Sequence, residues 1–130
     1  MSRFKGKLEV EIVKDDAKGL FRLLKPLVFE SDSKGLVIRV PKGYVTDFAS
    51  VPLLFRNIVG EQARKSGTVH DYLYGSHELQ RYICDGLLYE MLVTEKVPKY
   101  QAFLYWLMVR AFGWIFFHNL TRNKARIKYK

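Results

Sequence analysis

One cysteine and three histidines are the whole supply of thiol and imidazole in this chain of 130 residues. A single cysteine, Cys84, excludes an internal disulfide and a cysteine-based zinc site, and it fits a reducing compartment. Acidic residues are scarce beside basic ones, 13 against 22, which leaves a net charge of +9. There is no P-loop, dinucleotide fingerprint, paired-histidine zinc helix or helix-turn-helix pattern. Internal repeats and low-complexity linkers are missing as well. Residues 1–13 alternate charged and apolar side chains, without the apolar core of a signal peptide. The longest apolar stretch, 102–117, falls short of the roughly 20 residues of a membrane span and contains Arg110. It is expected to be a buried core helix, with an interfacial membrane helix as the alternative.

What is present suits one folded domain. The length is enough for a core without staples. Aromatic residues at 15% exclude a disordered chain. The domain is expected over residues 1–121, followed by a basic, solvated tail at 122–130 with Arg122, Lys124, Arg126, Lys128 and Lys130. The charge favours an anionic partner: nucleic acid, a cell-wall polymer or a membrane surface. It does not choose among them.

Along the chain, the apolar period changes once. Leu8, Val10 and Ile12 alternate with polar residues as a strand does. Residues 15–19 read as a turn. Residues 20–30 are apolar but carry Pro26, which marks an edge strand or a bent one. Residues 31–35 form the next turn, and Leu36–Val40 is the clearest strand. It ends at 41–43 and resumes at 44–46. From Ser50 on, helical spacing takes over. Residues 51–59 give one or two helical turns. A helix is expected in the second half of 61–74, broken by Gly75-Ser76, with Ser76 capping a helix over 77–93. On that helix Leu79, Tyr82, Ile83, Gly86, Leu87 and Met91 share one face, and Leu88 and Leu92 lie opposite, so both faces are expected to be covered. Pro98 opens a last helix, 98–118. Strands first and helices after give an α+β fold: a small antiparallel sheet packed against three to four helices.

Two dense polar clusters stand out. Thr46-Asp47-Phe48-Ala49-Ser50 follows the strands, and Thr68-Val69-His70-Asp71-Tyr72-Leu73-Tyr74 lies on a helix. His70 and Tyr74, four apart, share a helix face, and Asp71 is offset by about a third of a turn. The set offers His70 as base, ligand or donor, with Asp47 or Asp71 orienting it. Three uses follow. His70, Asp47 and Asp71 are a minimal ligand set for a divalent metal ion. Ser50 is a candidate nucleophile, although no Gly-x-Ser-x-Gly elbow surrounds it. The third use is plain binding of a polar or anionic ligand. Each residue also has a bland role. Asp47 and Ser50 are helix-cap and turn types. Asp85 can pair with Arg81 four residues earlier. A polar network fixing the sheet–helix junction uses the same side chains.

The run Gly43-Tyr44-Val45-Thr46-Asp47-Phe48-Ala49-Ser50-Val51-Pro52, followed by Val69-His70-Asp71-Tyr72-Leu73-Tyr74, resembles the DUF1353 family. Cys84-Asp85 and Val109-Arg110-Ala111-Phe112-Gly113 fit the same pattern, and the resemblance spans roughly residues 25–115. DUF1353 is a domain of unknown function found in tailed phages and prophages. The resemblance implies a phage origin, in the host cytoplasm or the phage particle, and a compact single domain, but no reaction. Asp47, Ser50, His70, Asp71, Tyr74 and Asp85 match its motif positions. Two functional expectations remain side by side. One is a small hydrolase acting on an anionic polymer. The other is a non-enzymatic virion or accessory protein, in contact with phage structural proteins, nucleic acid or membrane through the aromatic helix or the basic tail.

Overall fold

The computed structural model describes residues 2–14, 20–46, 64–76, 78–119 and 127–129. Strands come first. They are β1 (Arg3–Lys5), β2 (Val10–Lys14), β3 (Leu20–Leu23), β4 (Leu27–Ser31), β5 (Leu36–Val40) and β6 (Val45–Thr46). Among the described residues three helices follow, α1 (Arg64–Ser76), α2 (Arg81–Thr94) and α3 (Lys99–Asn119), and then β7 (Ile127–Tyr129). The α+β class is as expected from the strand-to-helix order. The single sheet is not. The strands form two antiparallel sheets, one ordered β1-β4-β5-β7 and the other β2-β3-β6. Pro26 falls between β3 and β4, where the chain leaves one sheet for the other. Proline cannot donate to a ladder, so the break sits where its missing N–H costs least.

The four-stranded sheet has one dry face. Leu27, Phe29 and Ser31 of β4 are buried, as are Leu36, Ile38 and Val40 of β5. The register sets them directly opposite in pairs: Leu27 with Val40, Phe29 with Ile38, Ser31 with Leu36. Alternation at a period of two sends these six to one face. The β4–β5 turn ends on Gly35, whose φ of 63° is the left-handed conformation that glycine adopts without strain. Against this face lie Val69, Tyr72, Leu73 and Tyr74 of α1 and Cys84, Leu87 and Met91 of α2. Leu23 reaches the same core from the three-stranded sheet. A second core of Leu88, Leu92, Val97, Ala102, Tyr105 and Val109 joins α2 to α3. So α2 is covered on both faces, as its apolar pattern predicts, except that Tyr82 points to solvent.

Helix boundaries correct two expectations. Gly75 and Ser76 do not break the chain but complete α1. The Ser76 hydroxyl donates to the Leu73 carbonyl within its own turn, and α2 starts only at Arg81, with no side-chain cap at Gln80. Intrahelical back-bonding of this kind competes with capping. The last helix also departs from a wholly buried one. Among its described side chains, the buried stripe is Ala102, Tyr105 and Val109. Three residues of the basic C-terminal stretch form β7 and pair with β5, which its charge does not suggest. The helical turns expected over 51–59 lie outside the described residues.

Side-chain ties lock the helices in place. The Glu90 carboxylate of α2 accepts hydrogen bonds from Ser31 and Ser33, each at 2.8 Å, and from Ser2, which ties α2 to the β4–β5 hairpin. Glu95, just past α2, accepts from the backbone N–H of Ser66 at 3.3 Å and from its hydroxyl at 2.5 Å. It thereby satisfies one orphan donor in the first turn of α1. Burial pushes the Glu95 pKa above its ordinary 4.5, against the opposing pull of Ser66 and Lys65. A raised carboxyl pKa adds stability below pH 4.5 that is lost as pH rises through the folded value. Glu95→Gln is therefore expected to abolish this acid-side gain. Urea midpoints measured from pH 7 down to pH 4 check it, and an unchanged gain in the variant refutes it.

Candidate functional site

The site is built where the three helices meet. On α1, buried positions run almost without interruption from Thr68 to Ser76, because this helix is wedged between the sheet and α2. The one half-exposed position in that run is Asp71. His70 and Tyr74 stack one turn apart with ring centroids 4.1 Å from each other. Both reach the carboxylate of Asp85 on α2, which is wholly buried. His70 Nε2 lies 2.9 Å from Asp85 Oδ1, and the Tyr74 hydroxyl donates to the same oxygen. The other oxygen, Oδ2, accepts from Arg110 Nη1 of α3 at 3.0 Å and faces Arg81 Nη1 at 3.6 Å. Arg81 goes on to donate to the Val109 carbonyl at 2.9 Å and to the Arg110 carbonyl at 3.3 Å. One carboxylate thus gathers hydrogen-bond donors from α1 and α3 and an ion-pair partner from its own helix.

The electrostatics follow from that geometry. Burial alone drives the Asp85 pKa upward. The hydrogen bond and charge of His70, then the bonds from Tyr74 and Arg110, outweigh it, so Asp85 titrates below its ordinary 3.8. It is a carboxylate at neutral pH. Tyr74 shows the reverse. Burial, then the hydrogen bond to Asp85 and its charge, raise the phenol far above 10, so its proton stays on. Burial, then the charge of Asp85, lifts the Cys84 thiol to about 12. That thiol is protonated and inert at neutral pH.

An ionised Asp85 also fixes the histidine tautomer. A carboxylate only accepts, so Nε2 carries the proton that it shares with Asp85. In the neutral ring this leaves the lone pair on Nδ1. Nδ1 has no hydrogen-bond partner among the described residues, although His70 is only 7% exposed.

Three of the residues singled out from the sequence, His70, Tyr74 and Asp85, therefore come together. Asp71 does not join them. It lies 3.5 Å from the Tyr44 hydroxyl, which donates to its Oδ2, and its charge adds to the burial that raises the Tyr105 phenol. The carboxylate on His70 is Asp85, 15 residues along, rather than its chain neighbour Asp71. Asp47 and Ser50 lie outside the described residues. Among the described residues no three of His, Cys, Asp and Glu converge as metal ligands. Asp85 is instead surrounded by cationic groups and hydroxyl or ring donors, which repel a metal ion or leave it no lone pairs.

The arginines went unrecognised as members of the cluster. Spacing alone pairs Arg81 with Asp85, and Arg110 stands in a stretch that fits the DUF1353 pattern without being assigned to the site. The usable signal was that Arg110 is the one charged residue between Lys99 and Asn119. A lone cation in an apolar helix needs an acid, and Asp85 sits among apolar residues of the preceding helix.

With the site in view, comparison with known proteins gives one match. The family model described as "Protein of unknown function (DUF1353)" fits residues 21–109. The chain belongs to the DUF1353 family. No curated protein and no solved structure matches it. The DUF1353 span runs from β3 into α3 and contains Arg81, Asp85, His70 and Tyr74, stopping one residue short of Arg110. It therefore covers the residues that α1 and α2 contribute to the cluster. Among the described residues no helix is long and apolar enough to cross a membrane.

Proposed function

We propose that this DUF1353 protein is a small phage-encoded hydrolase acting on an anionic polymer, with His70 as its proton-handling group. The observation that carries this reading is the Nδ1 lone pair, nearly buried and without a partner among the described residues, on a ring locked through Nε2. An unsatisfied buried acceptor needs a reason, and a substrate or water proton supplies one. Asp85 is then a positioning group, which orients the ring and stabilises the imidazolium once Nδ1 is protonated. Nδ1 takes a proton from water, the resulting hydroxide attacks the scissile bond, and the imidazolium returns the proton to the leaving group. The Arg81 and Arg110 side chains are 21% and 32% exposed, so the rim of the cluster is cationic and suits a negatively charged chain. Asp47 and Ser50 remain candidates for the same site through their motif. The test is turnover by the purified chain on DNA, RNA and cell-wall polymer. Cleavage of one of them that is lost in His70→Gln is expected. Failure to cleave any of the three sinks the proposal.

A second reading has its own support. Both Asp85 oxygens accept hydrogen bonds, from α1 and α3, and Arg81 of α2 adds an ion pair, which is what an architectural junction requires. In that case the protein is a non-enzymatic virion or accessory component, and its partners meet it elsewhere on its surface.

A further inference from the structure

Among the described residues, an apolar face of α3 is left without a cover. Tyr100, Phe103, Leu104 and Leu107 are 66%, 50%, 42% and 46% exposed. They recur at the spacing of a single helical stripe, opposite the buried stripe of Ala102, Tyr105 and Val109. A surface helix ordinarily places charged residues there, and a contiguous apolar patch marks an interaction site. Trp106 flanks the stripe, its ring 5.8 Å from that of Phe103.

Charge says what covers it. All 13 acidic residues of the chain lie at or before Glu95. The stretch from Lys96 to Lys130 has eight lysines and arginines and no acid. Lys96 and Lys99, both exposed, stand at the start of α3. A second copy of the chain would bring the same positive charge to the contact. Nucleic acid would answer the charge but offer nothing to Leu104 and Leu107. An anionic lipid surface answers both, because headgroup phosphates meet the lysines while the acyl boundary takes the aromatic and aliphatic side chains. No described helix is long and apolar enough to cross a membrane, so the helix lies along the surface.

We propose that the outward face of α3 docks this protein on anionic lipid bilayers. The proposal does not depend on the chemistry of His70. It is tested with the full chain by co-sedimentation with vesicles, either pure phosphatidylcholine or an equal mixture with phosphatidylglycerol. Binding to the mixed vesicles, weak binding to the neutral ones, and loss of binding with added salt are expected. Phe103→Ser combined with Leu107→Ser should weaken binding by about tenfold or more while leaving the melting temperature unchanged, since both side chains are exposed. Lys96→Gln with Lys99→Gln should weaken it by a smaller factor. The proposal is overturned by no binding to mixed vesicles, by equal binding of the Phe103/Leu107 variant, or by equal binding to neutral vesicles. Sedimentation velocity and a DNA oligonucleotide titration identify the rival occupants. Self-association lost in the Phe103/Leu107 variant, or oligonucleotide binding without vesicle binding, refutes the lipid assignment.

Discussion

Asp85→Ala is expected to destabilise the protein by about 3–5 kcal/mol, because it leaves the partners of a buried ion cluster uncompensated. Arg110 and Arg81 would keep their charges and lose their acid, and His70 and Tyr74 would lose their acceptor. For a chain of this size the melting temperature should fall by roughly 10–20 °C. Asp85→Asn retains the shape and removes the charge, so it separates packing from electrostatics. Acid titration adds an independent check. The folded pKa of Asp85 is lowered, so its contribution is present above 3.8 and is lost as pH falls through the folded value. The wild type should therefore lose stability below that point more steeply than Asp85→Asn. Parallel acid limbs for the two proteins would show that Asp85 is not the carboxylate holding the helices.

His70→Gln is expected to lower turnover by about 10²–10⁴-fold, the usual share of a positioned acid–base group. The glutamine amide can still donate to Asp85, so the fold should survive, which His70→Ala does not guarantee. The measurement is kcat on whichever anionic polymer the wild type cleaves, beside a melting curve for each variant. A large kcat loss at nearly constant stability supports proton transfer at His70. Equal kcat in wild type and His70→Gln, with a lowered melting temperature in His70→Ala, assigns the residue to the helix junction instead. Nitrogen chemical shifts of the ring check the tautomer that the bond to Asp85 dictates. In the neutral ring they should report a proton on Nε2 and a lone pair on Nδ1.

Much of the fold could be read from periodicity. The β4–β5 hairpin and the two-faced α2 are stated by the spacing of Leu36, Ile38 and Val40 and of Leu87, Leu88, Met91 and Leu92. The split into two sheets was less legible. Pro26 announces a break, but a proline cannot say whether the next strand rejoins the same sheet. The exposure of Leu104 and Leu107 was hidden for a similar reason. Composition gives the hydrophobicity of α3, not the number of elements that pack on it. At the site, His70 and Tyr74 were visible because helical spacing is local. The pairing of His70 with Asp85 rather than Asp71 was not, because it depends on how α1 and α2 cross. Neighbours in sequence are the easiest partners to imagine, and on a helix they point in different directions.

The pairing of β5 with β7 has a consequence for biogenesis. While the chain is being made, β4, β5 and β1 can associate as soon as residue 40 has emerged. The outer edge of β5 then waits until Ile127–Tyr129 arrive at the far end of the described chain. Throughout that interval a hydrophobic strand presents unpaired backbone groups, the template on which nascent chains aggregate. Yield on overexpression should therefore depend on how soon Ile127–Tyr129 are made after β5.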